Sequence, residues 1–319
     1  MLICSRKKAG IIILLMNFIK LEPSNYPEFK PYFNHQRYHL CPYSLGSIIA
    51  WSNNVYHPFG AIQNGAVIVY ADFIGRPEKR HLILPISPEK EYTPDELADL
   101  SKELGIFTYW FVPEEYILRY GEERISEFFS IREQEGLHDY IYNKEDLAGL
   151  KGNKYSKKRN LIHQFMRNYI HNGNVKVEPI TDSSVDECLE FLDVWCEEND
   201  CGKDPSEDDL ACEKVAAQNT LKNMALFEAK GLQLRIDGNI SAFGIASQLT
   251  DDMGVLQYEK AKSSIKGLYQ YFDQQCAEIL FNGKTYINKE SDMGEPGLMH
   301  AKKSYHPIRQ VKSYSLKLI

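Results

Sequence analysis

A basic turn at residues 262–267 precedes an apolar pattern of helical spacing that begins at Leu268. The first turn of a helix presents backbone N–H groups without intrahelical partners, together with the positive end of the helix dipole. A turn that carries Lys262, Lys266 and Gly267 at this place is therefore a candidate site for phosphate or another anion. The alternative is a turn that only joins a strand to a packed helix, because a fold-like pattern does not by itself establish a site.

Polar residues follow the next predicted strand, which is Thr285–Asn288. Asn288, Glu290 and Asp292 lie at its carboxyl end, the edge where open α/β sheets usually keep their chemistry. Glu259 lies near the end of the preceding apolar strand. We expect these side chains to form one site with the basic turn, although residues of these types also mark ordinary loop ends.

A cluster of six cations occurs between residues 151 and 167 with no intervening acid, in a chain whose formal net charge is -7. Its apolar residues recur at helical spacing, so the segment predicts a basic amphipathic helix. This helix is either a solvated face that joins two domains or a surface for a polyanion such as tRNA, a nucleotide or lipid phosphates. The acidity of the surrounding chain favours the second interpretation. We expect Lys158 and Arg159 to share one hollow with the Lys266–Gly267 corner.

The composition bounds the kind of protein. The 319 residues are 43% hydrophobic and 25% charged, which is typical of a soluble protein with enough apolar residues for a core. The length favours two domains. The negative net charge excludes a basic nucleic-acid coat, so any anion-binding surface is local. The seven cysteines are scattered and form no C-x-x-C pair, which predicts reduced thiols and no metal site.

The N-terminus resembles the start of a signal peptide, because three cations precede the apolar run Ala9–Met16. The run is too short to span a membrane and no small-residue cleavage site follows it. We therefore expect a cytoplasmic protein without stable membrane insertion, and a weak role of this leader at a membrane surface stays open. Translation could start at Met1 or at Met16.

Hydrophobic periodicity and helix caps predict the elements that position these residues. In the first half the expected elements are a helix at Tyr26–Phe33, strands at Ala66–Phe73 and His81–Ile86, and a helix from Thr93 to Gly105. In the second half they are a helix at Val185–Glu198 and strands at Ala225–Lys230, Leu232–Ile236, Ser241–Gln248 and Gly254–Lys260.

This order of elements resembles the GNAT acyltransferase fold in the second half and a looser version of it in the first half. Such a tandem is similar to the Fem aminoacyltransferases and to the catalytic C-terminal region of bacterial phosphatidylglycerol lysyltransferases. The second resemblance rests on DYIYNKEDLAGLKGNKYSKKRNLIHQF at 139–165, YEKAKSSIKGLYQY at 258–271 and YINKESDMGEPGLMHAKKSYHP at 286–307. It implies an α+β (α/β) fold of two GNAT-like domains in tandem, each a mixed and mostly antiparallel sheet flanked by helices.

The domain organisation expected on this basis has four parts. They are an N-terminal extension at 1–16, a first GNAT-like domain at 17–150, a basic connecting helix at 151–172 and a second GNAT-like domain at 173–319. The candidate active site lies in the second domain.

The resemblance also implies a reaction, the transfer of an activated acyl or aminoacyl group to an amine or hydroxyl. The acceptor could be a phosphatidylglycerol-type lipid head group. GNAT enzymes wrap the donor pyrophosphate with a glycine-rich turn, whereas the corresponding residues 262–269 contain only Gly267. This departure places coenzyme A in doubt and favours the looser phosphate contacts that an aminoacyl-tRNA end needs. Aminoacyl-tRNA and acyl-CoA both stay open as donor substrates.

Acyl transfer requires a base, a stabilised oxyanion and a protonated leaving group. The candidate bases are Glu259, Glu290 and Asp292, and Tyr305 follows the short last helix, where GNAT enzymes often carry a tyrosine acid. Lysines close to Tyr305 could stabilise negative charge. The expected donor-binding residues are Lys158, Arg159, Lys262, Lys266, Gly267, Tyr269, Asn288, Lys302 and Lys303.

A second class of function stays open from the sequence, a non-catalytic RNA- or phosphate-binding module on a degenerate transferase scaffold. The donor, the acceptor and the oligomeric state do not follow from the residues, because one fold hosts many chemistries.

Overall fold

The computed structural model describes residues 16–171, 174–199, 201 and 209–319, with the backbone alone at 209–211. The expected N-terminal extension lies outside the described residues except for Met16. The chain forms two compact units. The first runs up to Asp139 and includes Val311–Ile319, and the second is Tyr140–Gln310. Most of the expected connector therefore folds with the second unit, and the C-terminal residues fold with the first.

The elements are numbered in chain order over the described residues. The strands are β1 (Ile19–Lys20), β2 (Tyr56–Gln63), β3 (Ala66–Phe73), β4 (His81–Leu82), β5 (Thr108–Pro113), β6 (Phe129–Glu133), β7 (Asp139–Asn143), β8 (Val175–Pro179), β9 (Lys230–Ile236), β10 (Asn239–Gln248), β11 (Met253–Ala261), β12 (Tyr286–Asn288), β13 (Arg309–Val311) and β14 (Ser313–Leu318). The α-helices are α1 (Tyr26–Phe33), α2 (Leu45–Ala50), α3 (Pro94–Leu104), α4 (Glu114–Tyr120), α5 (Glu122–Ser126), α6 (Lys144–Gly149), α7 (Ser156–Phe165), α8 (Val185–Glu198), α9 (Asp209–Lys222), α10 (Leu268–Ile279) and α11 (Pro296–Lys303).

The first unit contains a mixed sheet with the strand order β1-β2-β3-β4-β5-β14-β6. Strands β4 and β5 are parallel and are joined through α3, whereas the neighbouring pairs are antiparallel. Strand β14 lies between β5 and β6, where Leu316 is opposite Tyr109 on one side and Ile131 on the other. The last described strand thus pairs with strands of the first unit that lie about 180 or more residues earlier in the chain.

Helix α3 begins and ends where the sequence predicts. Thr93 and Glu96 form a capping box, Pro94 occupies the first turn, and Gly105 ends the helix with a φ of 67°. The side chain of Glu96 accepts the backbone N–H of Thr93 at 3.0 Å, which satisfies a donor that the helix leaves unpaired. The buried face includes Leu97 and Leu104, and the hydroxyl of Tyr109 in β5 donates to the carbonyl of Leu97 at 2.9 Å.

A neutral histidine is buried within the same sheet, in β4. His81 is 1% exposed, stacks on Trp110 with ring centroids 4.2 Å apart, and has its Nδ1 2.8 Å from the carbonyl oxygen of Lys79. Burial lowers the pKa of His81 to about 4, so the folded protein resists protonation that the unfolded chain accepts below about pH 6.5.

We expect this histidine to cost stability in acid. As the pH falls from about 6.5 to about 4, the unfolded chain gains a proton that the folded chain does not, and up to about 3 kcal/mol of stability is lost. His81→Phe keeps a ring on Trp110 and cannot titrate, so the loss of stability in this window should shrink. Denaturant unfolding at pH 7 and pH 5 measures the effect, and an equal loss in both proteins would contradict it.

The second unit contains a mixed sheet with the order β13-β7-β12-β11-β10-β9-β8. Strands β8 to β11 are antiparallel neighbours, and β11 is parallel to β12 after a crossover through α10. This strand–helix–strand arrangement follows the pattern predicted for a GNAT-like domain. With the first sheet, it confirms the predicted α+β fold of two mixed, mostly antiparallel sheets flanked by helices.

Two sequence predictions about strands need correction. Of the predicted strand Ala225–Lys230, only Lys230 is in a strand, as the first residue of β9: the chain turns back after α9, with a hydrogen bond of 2.9 Å from the N–H of Ala229 to the carbonyl of Met224. Its apolar Phe227 is buried from a turn instead. The sequence analysis also predicts no strand at β2, which contains Pro58; the carbonyl of Pro58 accepts the N–H of Leu21 at 2.8 Å.

Candidate functional site

The basic turn and the basic helix are neighbours in the second unit. Gly267 precedes α10 with a φ of 85°, and a Cβ at this position would lie 2.1 Å from the carbonyl oxygen of Leu161 in α7. Helix α7 therefore packs directly on the corner, which only glycine permits. The expected convergence of the two segments is present, but the expected hollow at Gly267 is filled by α7. Lys262 is partly buried and Lys266 is exposed beside this contact.

We expect Gly267→Ala to destabilise the second unit far more than Gly283→Ala. Gly283 has a similar φ of 80° with no atom within 4 Å of an added Cβ, so alanine there meets only the backbone cost of about 1–2 kcal/mol. Alanine at Gly267 meets that cost and also the backbone of Leu161. Denaturant unfolding of the two variants measures the difference, and equal destabilisation would show that the close contact is not needed.

The cations of α7 differ in what they contact. Arg159 donates from Nη1 to the carbonyl oxygens of Leu150 and Gly152, at 2.5 and 2.7 Å, so its guanidinium holds the loop after α6. Lys157 is exposed, whereas Lys158 is partly buried. The expected donor contact at Arg159 is thus occupied by the protein's own backbone in this structure.

A buried charge cluster lies between β11, α10 and β12. The Nζ of Lys289 is 2.6 Å from Oδ1 of Asp273 and 3.2 Å from Oε2 of Glu259. The side chains of Glu259 and Asp273 are 14% and 4% exposed, and that of Lys289 is 13% exposed. Two carboxylates therefore share one ammonium away from bulk water.

The fold brings these three residues together from separate elements. Glu259 belongs to β11, whose other residues are buried. Asp273 follows Phe272 on the buried face of α10. Lys289 comes directly after β12, which pairs in parallel with β11. A parallel pair and its crossover helix thus converge on one point at the carboxyl end of β12.

The sharing of one cation by two acids leaves Glu259 easily protonated. Burial, followed by the charge of Asp273, raises the pKa of Glu259 to about 7, although Lys289 acts in the opposite direction. Burial alone would lower the pKa of Lys289, but Asp273 and Glu259 hold it well above its ordinary value. Glu259 is thus a carboxyl poised to exchange a proton near neutral pH, as general bases and acids are.

Tyr305 completes the cluster from the segment after α11. Burial, followed by the charge of the Asp273 carboxylate, keeps the pKa of Tyr305 well above its ordinary value. The phenol therefore keeps its proton at neutral pH. The Nζ of Lys158 lies 3.8 Å from the centroid of the Tyr305 ring and donates to Oγ of Ser304 at 2.7 Å. Burial lowers the pKa of Lys158.

The other predicted bases shape the loop after β12. The amide oxygen of Asn288 accepts the N–H of Glu290 at 2.6 Å. The carboxylate of Asp292 accepts the hydroxyl of Tyr140 and, at 2.9 Å, the N–H of Gly294. Glu290 is partly buried and has a φ of 58°, an uncommon conformation for a residue other than glycine. These contacts position the loop that carries Lys289.

The remaining predicted binding residues, Tyr269, Lys302 and Lys303, lie in different environments. The hydroxyl of Tyr269 accepts the indole N–H of Trp195 at 3.2 Å and takes no part in the ion pairs of the charge cluster. The ammonium of Lys302 donates to three backbone carbonyls of the loop after β12. Lys303 is exposed.

Asp273 and Lys289 are the site residues that sequence reasoning missed. Asp273 was hidden by the helical pattern, yet an acid directly after Phe272, on the face that also carries Cys276, is a signal that could have identified it. Lys289 adjoins the buried strand β12, and a charge in such a place needs a partner because an unpaired buried charge is costly.

The fold defines the class of this protein, which has two GNAT-like α+β units in tandem. The model of one family, phosphatidylglycerol lysyltransferase, C-terminal, matches residues 37–317. The chain therefore belongs to this family, as the sequence motifs indicate. Family membership and fold support a transferase of general kind.

Individual proteins are similar to this chain in structure or in sequence. A crystal structure of a Bacteroides thetaiotaomicron protein of unknown function is 24% identical, with a TM-score of 0.84 over 95% of this chain and 100% of that chain. The C-terminal domain of an Agrobacterium fabrum protein named as a lysylphosphatidylglycerol synthetase is 13% identical, with a TM-score of 0.58 over 92% of each chain. An uncharacterized protein of Mycoplasmoides gallisepticum is 24% identical over 57% of this chain. This match spans 56% of the length of that relative.

No helix among the described residues is both long and apolar enough to cross a membrane.

Proposed function

We propose that the second unit transfers an activated aminoacyl group to a hydroxyl or amine acceptor, with Glu259 as the general base. The observation that carries this proposal is the buried cluster in which Glu259 and Asp273 share Lys289, with the ring centroid of Tyr305 5.2 Å from the Lys289 ammonium. A carboxyl with a pKa of about 7 accepts a proton at neutral pH and releases it again.

The groups of the cluster suit the successive needs of acyl transfer. Glu259 removes the proton of the attacking hydroxyl or amine, which then bonds to the acyl carbon. The ammonium of Lys158, half-buried on the ring of Tyr305, stabilises the oxygen on which negative charge develops. Tyr305, still protonated at neutral pH, gives its proton to the departing oxygen of the donor, and Glu259 restores that proton at the end of the cycle. Lys289 keeps the two carboxylates in place.

The donor that we propose is an aminoacyl-tRNA, and the acceptor is a phosphatidylglycerol-type head group. The name of the family supports both, because a lysyltransferase moves an aminoacyl group. The filled corner at Gly267 supports this donor over acyl-CoA, since GNAT enzymes grip the pyrophosphate of coenzyme A at that turn. Exposed cations of the same unit, among them Lys151, Lys157 and Lys266, supply charge for a polyanion.

A transfer assay with the full chain tests this proposal. The protein is incubated with a panel of radiolabelled aminoacyl-tRNAs and acyl-CoAs, in the presence of vesicles with and without phosphatidylglycerol. We expect labelled lipid from at least one aminoacyl-tRNA and only with phosphatidylglycerol. Absence of turnover with every donor, together with retained tRNA binding, would instead identify a phosphate-binding module. Turnover with acyl-CoA alone would replace the proposed donor.

A further inference from the structure

Three consecutive backbone carbonyls converge on the ammonium of Lys302. They belong to Lys289, Glu290 and Ser291, and the last two lie 3.2 and 2.6 Å from Nζ. Successive carbonyls point to one place only when the backbone departs from strand and helix geometry, and the φ of 58° at Glu290 provides that departure. The three donors of an ammonium match the three oxygens of this loop.

Helix α11, which carries Lys302, has no buried side chain. Its position therefore depends on polar contacts rather than on a hydrophobic face. Besides the contacts of the Lys302 ammonium, side-chain hydrogen bonds from other elements reach the carboxyl end of the helix. They run from Tyr142 Oη to the carbonyl of Lys302 (2.8 Å), from Lys158 Nζ to Ser304 Oγ (2.7 Å) and from Tyr155 Oη to the carbonyl of Tyr305 (3.1 Å).

We propose that Lys302 is a positioning residue, a tethered cation that fixes Lys289 on one side and Tyr305 on the other against the carboxylates of Glu259 and Asp273. Its ammonium holds the backbone of Lys289 itself, and its helix leads directly to Tyr305. Lys302 thus acts through the cluster and not on a donor phosphate, because its hydrogen-bond donors are spent on carbonyls. The inference deepens the proposed function and rests on it only where catalysis is concerned.

The titration of Glu259 tests the tether without any substrate. In Lys302→Met the stem stays but the carbonyls lose their donor, so Lys289 moves from its place between the two acids. The pKa of Glu259 should then rise above about 7, because burial and Asp273 act with less opposition. Carboxyl carbon signals of glutamate-labelled protein measure it, with Glu259→Gln assigning the signal. Lys222→Met, at an exposed lysine of the same unit, should leave the titration unchanged.

Chemical rescue distinguishes a bound cation from general support. Lys302→Ala leaves the three carbonyl oxygens without an ammonium, and added methylammonium supplies N–H donors of the same kind. We expect methylammonium to return the titration of Glu259 toward that of the wild type and tetramethylammonium, which has no N–H, to have no effect. Equal effects of the two ions would overturn the assignment of Lys302 as a tethered cation, and so would an unchanged titration in Lys302→Met.

A second variant tests the tether from the helix side if Lys302 variants do not fold. Tyr142→Phe removes the hydrogen bond to the carbonyl of Lys302 and leaves the ammonium in place. We expect a rise of the Glu259 pKa in the same direction but smaller than in Lys302→Met, and no change would count against the proposal. Since neither titration uses a donor, failure here is separable from failure of the transfer assay. Where transfer is measurable, Lys302→Met should lower kcat with little change in KM and move the pH profile upward.

Discussion

Glu259→Gln should lower kcat of the transfer reaction by about 10²–10⁴-fold, the range typical of a lost general base. The amide keeps the shape of the side chain and can still contact Lys289, but it cannot accept a proton. The KM for the donor should change little, because Glu259 acts on the acceptor's proton. Steady-state kinetics with the donor identified by the transfer assay measure both constants.

The pH dependence of the same pair of proteins gives a second readout. Glu259 must be unprotonated to act as a base, so wild-type kcat/KM should rise as the pH increases through about 7 and then level off. The variant should lack this rise. A wild-type profile that is flat between pH 6 and 8, or an equally steep profile in Glu259→Gln, would assign the base to another residue.

The same pKa predicts that the stability of the wild-type protein falls as the pH rises, whereas its activity increases. The folded protein holds a proton on Glu259 up to about pH 7, whereas the unfolded chain releases it near 4.5. Stability is therefore lost as the pH rises from about 4.5 to about 7, by up to about 3 kcal/mol for this group. The Glu259→Gln variant should lose less stability over this window. We therefore expect this variant, although inactive in catalysis, to be at least as stable as the wild type at pH 8.

Lys289→Met should destabilise the second unit by about 3–5 kcal/mol at pH 8, the cost of leaving buried charge without a partner. Two carboxylates, at 14% and 4% exposure, would then face each other without the shared ammonium. The loss should be smaller at pH 5, because Glu259 is protonated there and the repulsion with Asp273 disappears. Denaturant unfolding at the two pH values measures the effect.

Two controls define what would contradict the Lys289 prediction. Lys222→Met changes an exposed lysine of the same unit and should alter stability by less than about 0.5 kcal/mol. The double variant Lys289→Met/Glu259→Gln removes one of the unpaired acids and should recover part of the loss at pH 8. A loss that is independent of pH and unaffected by the second substitution would mean that Lys289 acts through packing alone.

Local chemistry explains which elements the sequence could predict. Helix α3 carries its capping box and its terminal glycine within a dozen residues, and α8 matches the predicted Val185–Glu198. The prediction failed at Ala225–Lys230, where a short apolar run suits a strand or a buried turn equally well. The pairing of β14 with β5 and β6 depends on contacts about 180 residues or more apart, which no local pattern encodes.

The site was predictable only in part, because a sequence shows charge but not the partner of that charge. Glu259, Tyr305 and Lys158 lie in or beside one cluster, while the direct contacts of Arg159 and Lys302 are to backbone carbonyls. In a sequence, a lysine or arginine that binds backbone carbonyls cannot be distinguished from one that binds phosphate, so Arg159 and Lys302 were both predicted as phosphate ligands. Whether any of the predicted binding residues meets a donor stays a prediction.

The position of β14 has a consequence for the chain during synthesis. A ribosome completes residues 16–139 long before it adds Ser313–Leu318, so β5 and β6 emerge without the strand that lies between them. Unpaired strand edges invite wrong partners. We expect nascent chains stalled before residue 313 to be cleaved by protease within the first half and to bind chaperones, and released chains that include residues 313–318 to lose both properties. Protease resistance in the stalled chains would show that the sheet closes without its final strand.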